Sequence, residues 1–342
     1  MAKPTWIEVI EATYDVDSSV QTWLAGVARA SHPVLGDGFG VFAFGYDAST
    51  PESLKIDCFA GTPDSPLNAQ SALAGIQAAG GGRYVRDTFC SLQTEAVRST
   101  PGFAGTDAER MFDASGVGDL VVINGVDPSG IGTCMGALTS ARVRLSRAQR
   151  QRYARVAAHL ANAYRLRRRL AAPASASAAP WGADAVLSAA GRLDHCSGDE
   201  VHQARERLRT AAVAIDRARG RLRRIEPDSA LAEWEGLVDG RWSLVDKFDT
   251  DGKRFVLARR NEPRVTALER LTERERAVVA YAALGHSNKL IAYDLGIAHS
   301  TVRVLLARAA QRLGVRSREE VVAAFRGSAS PAPPSSSAHG ST

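Results

Sequence analysis

The chain has 342 residues, 45% of them apolar and 23% charged, with a formal net charge of +6. That is long enough for two or three domains and ordinary in composition for a soluble protein. No run reaches the ~18 apolar residues needed to span a bilayer. The opening MAKPTWIEVIEA lacks a charged segment followed by an apolar run, so no secretory signal is read and a cytoplasmic chain with no membrane partner is expected.

Trp6 to Ala30 carries helical spacing (Ile10, Val20, Trp23, Leu24, Val27), interrupted near Tyr14–Asp17. After the turn Leu35-Gly36-Asp37-Gly38, the runs Gly40–Tyr46 and Leu54–Ala60 read as strands rich in β-branched and aromatic residues. Leu67 to Ala79 reads as a helix, broken by Gly80-Gly81-Gly82. Leu120–Val126 and Ile131–Val143 form a hairpin over Asp127-Pro128-Ser129-Gly130, and Ser146 caps a long helix to about Leu170. This order of helix, two strands, helices, hairpin and long terminal helix resembles a GAF- or PAS-like sensory domain. The resemblance implies an antiparallel sheet faced by helices, a small-molecule ligand and flanking helices that dimerise. Receiver-domain acids and the residues of acyl-homoserine-lactone-binding domains are not recognised, so neither phosphorylation nor that ligand class is carried over.

Charge is uneven. Residues 1–120 hold 15 acids against 7 bases, whereas no acid lies between Asp127 and Asp184 and Arg142–Arg169 supplies ten arginines. Such a run suits either a basic arm for nucleic acid or a helix that lies against the acidic N-terminal part or is merely solvated, and its apolar positions favour the second.

Residues 171–180 (AAPASASAAP) read as a linker. The helix from about Gly198 to Ile225 repeats Val201, Leu208, Ile215 and Leu222 at seven-residue spacing, with Ala204, Ala211, Ala218 and Ile225 between them. That pattern fits a coiled-coil seam for a homodimer and equally an amphipathic helix packed on its own chain. Trp242–Phe248 and Arg254–Ala258 alternate about Asp249-Thr250-Asp251-Gly252, a hairpin read as a structural connector.

Leu271 to Phe325 has the most pattern. Thr272 and Glu275 form a capping box, Gly285 stops the first helix, Ser287 opens a second, Gly296 is a turn, and a third helix runs from His299 to Leu313 before Gly314. Ser317 and Glu320 open a fourth. The matching residues Leu271-Thr272-x-Arg274-Glu275, Gly285-x-Ser287-Asn288-Lys289-x-Ile291-Ala292, Leu295-Gly296-Ile297, Thr301-Val302-Arg303 and Leu313-Gly314-Val315-x-Ser317-Arg318 closely resemble the LuxR-type (GerE-type) helix-turn-helix domain. The resemblance implies a transcriptional regulator that binds double-stranded DNA.

The fold class expected is therefore α+β: a sensory domain over 1–170, a linker over 171–180, a helical and hairpin connector over 181–263, an all-α four-helix DNA-binding domain over 264–326 and a disordered tail over 327–342. Residues 298–318 hold five arginines and no acid. Arg303 is the candidate for direct base readout, since a guanidinium pairs bidentately with guanine, and Val304 would touch a thymine methyl. His299, Ser300 and Thr301 should meet phosphates at the helix start, with Ser287, Asn288 and Lys289 doing so from the second helix and Arg308 either touching DNA or standing in solvent. Three positions depart from the family: Ala298 for the usual Ser cap, Leu305 for a polar residue, and Ala307 for a second base reader.

Catalytic signals are weak. Asp194-His195-Cys196 with Glu200 and His202 has metal-ligand residue types, but adjacent side chains diverge, and no Ser/His/Asp set can be placed, so no enzyme, metal or cofactor is expected. Cys58, Cys90, Cys134 and Cys196 are too dispersed for a disulfide framework or zinc site. The alternative function is an interaction protein whose last domain contacts RNA polymerase or another regulator without reading DNA, an idea resting on Leu305 and Ala307.

Overall fold

The computed structural model describes residues 5–50, 54–172, 180–263, 265 and 268–329. Most of the expected linker, 173–179, lies outside the described residues, as does the tail from 330; Gly327–Ala329 continue the last helix. The architecture is α+β, with two antiparallel sheets and a C-terminal helical unit.

Helices α1 (Trp6–Thr13) and α2 (Val20–Leu35) precede strands β1 (Phe42–Asp47) and β2 (Lys55–Gly61). Three short helices follow, α3 (Ala69–Ala78), α4 (Gly82–Thr88) and α5 (Asp107–Ala114), and then β3 (Asp119–Val126) and β4 (Ile131–Thr139). The first sheet has the order β2-β1-β4-β3. Helix α6 (Arg147–Ala171) starts on a capping box of Ser146 and Gln149. It packs against β3 and β4 on one side and on others reaches α1, the strand Trp242–Phe248 and the helix Asn288–Leu295. Its close approach to β3 requires Gly125, where a Cβ would lie 2.1 Å from the Ala157 carbonyl oxygen.

The connector reading of 181–263 needs correction. Strands β5 (Ala185–Ser188) and β6 (Leu193–Cys196) join β7 (Trp242–Phe248) and β8 (Arg254–Arg260) in a second sheet of order β6-β5-β8-β7. The hairpin is half of that sheet, because β5 pairs antiparallel with β8. Both sheets share one plan, with the first strand of one hairpin beside the last strand of the next. Four-residue strands carry too little alternation to be legible beforehand. Between the hairpins run α7 (Asp199–Arg217), a π turn at Ala218–Leu222, α8 (Arg223–Ile225) and α9 (Pro227–Glu233). One apolar core joins α1, α2, α6, α7 and both sheets.

The heptad face of α7 is spent inside the chain. Val201, Leu208 and Ile215 are buried in the core beneath the second sheet, where α7 meets β5 and β6, while Ile225, at the end of the series, is 57% exposed. The amphipathic-helix reading therefore applies, and the coiled-coil seam is not available for a second chain. The arginine-rich helix is packed along one side: Arg165 and Arg167 are sequestered and Arg152 binds Asp228 at 2.6 and 2.9 Å, while Arg147, Arg150 and Arg168 are exposed. It is not a free basic arm.

The C-terminal unit comprises α10 (Glu273–Ala283), α11 (Asn288–Leu295), α12 (His299–Leu313) and α13 (Arg318–Ala329). Among the described residues no single helix is long and apolar enough to cross a membrane.

Candidate nucleic-acid interface and its buried back

Local chemistry sets each helix of this unit. Thr272 Oγ1 accepts from Glu275 N and the Glu275 carboxylate accepts from Thr272 N, closing the capping box of α10. Ser287 Oγ accepts from Leu290 N at 3.2 Å and starts α11. Gly296 takes φ +59, the left-handed conformation that glycine adopts without penalty, and the chain turns through 109° into α12. That angle is within the range of helix-turn-helix motifs.

Ala298 gives α12 no side-chain cap, and neither His299 nor Ser300 replaces it. The first N–H groups of α12 are thus unsatisfied by the chain and point outward at an exposed end. Along α12, His299, Ser300, Arg303, Val304, Ala307 and Arg308 are exposed, Val304 at 48%. Among the described residues neither Arg303 nor Arg308 has an ion-pair partner. Two other arginines of the run are committed internally: Arg312 binds Glu275 at 2.9 Å, and Arg318 binds Asn288 Oδ1 and the His286 carbonyl.

The expected site residues divide accordingly. Lys289 and Ser287 are exposed at the start of α11, whereas Asn288 is half-buried with its oxygen occupied by Arg318. Thr301 is half-buried in a cleft beside Asp239, Glu273 and Arg274, so it sits apart from the exposed row. Leu305, read from sequence as a missing polar reader, is only 9% exposed and packs with Leu237, Val278 and Leu295. Its apolar character is a core requirement. Only Ala307 remains as a shortened side chain on the open face.

The opposite side of the unit is sealed against α6, and the sequence did not announce it. Tyr293 Oη lies 2.8 Å from the carbonyls of Leu231 and Trp234, and 2.7 Å from His159 Nε2. Its single proton goes to a carbonyl, so it accepts from Nε2–H of His159. The bare Nδ1 then accepts from Tyr14 Oη at 3.0 Å. Burial pushes the His159 pKa down to about 3, keeping the ring neutral.

Beside it, Asn162 Nδ2 donates to Asp294 Oδ1 at 2.7 Å, and Asn162 Oδ1 accepts from Arg165. Arg165 also donates to Tyr281 Oη at 3.1 Å and Asp127 Oδ2 at 3.3 Å. Asp294 Oδ2 and His286 Nδ1 face each other at 3.6 Å, each buried and without another partner. Burial raises the Asp294 pKa to about 7 and lowers that of His286 to about 3. Both shifts favour uncharged forms.

Backbone contacts complete the docking. A Cβ at Gly296 would lie 1.8 Å from the Leu237 carbonyl oxygen, and Leu92 N donates to Leu284 O at 3.0 Å. Arg274, part of the recognised motif, binds Asp239 at 3.1 Å.

The other clusters flagged from sequence are structural. Cys196 Sγ and His202 Nδ1 are 3.9 Å apart, while Glu200 is taken by Arg241 and Arg260. Among the described residues no group of three or more His, Cys, Asp or Glu could hold a metal ion.

Residues 269–325 match the family of bacterial regulatory proteins, luxR family, so this segment is a LuxR-type helix-turn-helix domain. The chain is also similar to a nitrate/nitrite response regulator protein homolog of Haemophilus influenzae, 34% identical over 104 residues that make up 30% of this chain and 47% of that protein. The chain thus spans about half the length of that relative. A crystal structure of Escherichia coli SdiA aligns over 94% of this chain and 96% of that one, at 9% identity and a TM-score of 0.26, too low to support an argument about shared architecture. The named family and relative are regulatory proteins.

Proposed function

We propose that the chain is a transcriptional regulator that binds double-stranded DNA through α12, under control of the module formed by the preceding residues. The observation that carries the reading is the open face of α12: an uncapped helix start, the unpaired guanidinium groups of Arg303 and Arg308, and no acid from 298 to 318. Arg303 reads a base edge and Val304 makes an apolar base contact. The free N–H groups near His299 and Ser300 bind phosphate, flanked by Ser287, Asn288, Lys289 and Arg308, with Thr301 supporting the helix start.

The N-terminal module is a GAF- or PAS-like sensor in this reading, supported by its antiparallel sheet between helices. A homodimer would place two α12 helices about one DNA turn apart. The surface joining them lies outside the α7 heptads, since those are buried within one chain. The polymerase-contact reading loses half its basis, because Leu305 faces the core.

Binding of the purified full chain to a random duplex pool, measured across salt concentrations, tests the proposal. Each phosphate neutralised contributes a slope of about −0.9 in log affinity against log salt. Selection of a sequence motif together with a steep slope is expected. Absence of duplex binding at low salt would overturn it in favour of a protein-contact role.

A further inference from the structure

The first sheet and its short helices enclose a cavity of about 270 Å³. Phe42 and Phe44 of β1, Val122 of β3 and Cys134 of β4 form its floor, with Ile76 and Phe112 over it. Phe89 and Phe103 close further parts of the wall and are 7% and 1% exposed. The corresponding layer of the second sheet is built differently: the single long helix α7 lays Val201, Leu208 and Ile215 down into the core.

The lining restricts what can bind. Glu95 is the only charged side chain in it, and that carboxylate is taken up by Arg150 at 3.6 Å. The Asn124 amide is already satisfied, accepting from Tyr46 Oη at 2.7 Å and donating to the carbonyls of Thr88 and Ser91. A charged or phosphorylated ligand would lose its hydration without finding a cation in the lining, whose remaining polar groups are neutral hydroxyls and amides such as Tyr84 and Gln93. Aromatic walls suit flat rings. Since an apolar cavity of about 150 Å³ takes one benzene, this one has room for roughly two rings.

One wall of the cavity is also the wall that meets the DNA-binding domain. Thr88, Phe89, Gln93, Glu95 and Val97 line it. The segment is pinned to β3 by Asn124 Nδ2 on two carbonyls and by Asn124 N on Gln93 O at 2.9 Å. Its outward side presents Leu92 N to the carbonyl of Leu284, at the end of α10.

We propose that this cavity is a binding site for a neutral, apolar, two-ring small molecule, and that residues 88–97 relay its occupancy to the helix-turn-helix domain. The relay rests on the regulatory reading above; the site itself does not.

The test uses 2-naphthol as a neutral probe and 2-naphthalenesulfonate as its charged counterpart, titrated into the full chain by equilibrium dialysis. Saturable one-to-one binding of 2-naphthol is expected, with the sulfonate at least ~10-fold weaker. Ala72→Phe and Ala108→Phe, which add bulk at two separate points of the lining, should each weaken 2-naphthol by at least ~10-fold while circular dichroism and duplex binding stay as in the parent. Binding that survives both substitutions, or that favours the sulfonate, overturns the site. Hydrogen exchange then reads the relay: 2-naphthol should change protection in peptides covering 88–97 and 284–290. Unchanged exchange in 284–290 of the saturated protein overturns the relay and leaves the site. If site and relay both hold while duplex affinity is indifferent to 2-naphthol, it is the regulatory reading that fails.

Discussion

On α12, Arg303, Val304 and Arg308 stand in solvent and touch nothing that would hold them. On α11, one turn of chain away, Tyr293 and Asp294 are enclosed by His159, Asn162 and Trp234, and their side-chain oxygens are hydrogen-bonded except Asp294 Oδ2, which faces His286 Nδ1 at 3.6 Å. The outer face is poor in contacts, as the proposed DNA contact would require. The inner face is rich in polar contacts, and a polar interface can separate at lower cost than an apolar one when its groups find water. Docking of this kind specifies one orientation of the domain without welding it. It leaves the open face of α12 unobstructed by the described residues, so on the proposed reading control of DNA binding would act through orientation or spacing and not through simple occlusion.

The strongest way to break that contrast is Asn162→Leu. It deprives Asp294 of its donor and Arg165 of an acceptor, in a site with no exposure to water. Leaving such groups unpaired should cost about 3 kcal/mol in chemical denaturation. The loss should come with separate unfolding of the C-terminal unit, visible as a second transition. A single transition at the parent midpoint would show that the polar set does not hold the domain.

The next test is a pH profile. The Asp294 pKa rises from 3.8 to about 7 in the folded chain, so between those values the folded state keeps a proton the unfolded state has released. Its contribution to stability is full below pH 3.8 and lost as pH rises through 7. The histidines run the other way. His159 and His286 are held at about 3 against 6.5, so their contribution is full above 6.5 and lost as pH falls toward 3. Between pH 4 and 6.5 the carboxyl therefore offsets one histidine. Asp294→Asn removes only the carboxyl slope and keeps an acceptor for Asn162. The variant should lose more stability than the parent on acidification below 6.5, the difference reaching about 2 kcal/mol by pH 5. Parallel profiles would mean that Asp294 does not titrate in this window.

Arg303→Ala probes the outer face. Specific duplex affinity should fall by ~1–3 kcal/mol, while the denaturation midpoint moves by no more than ~0.5 kcal/mol. A stability loss without an affinity loss would place Arg303 in the scaffold and reassign the readout.

The outer face was legible in advance because its signals are local. Capping boxes, the glycines at 296 and 314 and the acid-free run from 298 to 318 are all read within one helix length, and α12 begins and ends where the periodicity puts it. The inner face was not legible. Tyr293 and Asp294 lie off the apolar stripe of Ile291, Ala292 and Leu295, where polar side chains ordinarily meet solvent. Their side-chain partners on α6 are more than 130 residues away, and nothing in a local window marks a polar residue as one that will be buried against another. The same limit explains Leu305, an apolar residue whose neighbour Leu237 lies in the preceding module. It also explains the second sheet, whose outer strands are too short to announce themselves.

A smaller stability loss is expected from Tyr293→Phe. The ring and its stacking partner are retained, with the Arg155 guanidinium 5.4 Å from the ring centroid, so packing should change little. What disappears is the hydroxyl that accepts from His159 Nε2 and donates to a carbonyl. His159 can shift its proton to Nδ1 and donate to Tyr14, so part of the loss is recoverable within the network. About 1 kcal/mol should remain. A matched Val304→Ala on the outer face should leave the denaturation midpoint where it was, since Val304 is 48% exposed and contributes little to the fold. If the two substitutions cost the same, the distinction between a face built for the chain and a face built for its partner does not hold at the level of single side chains.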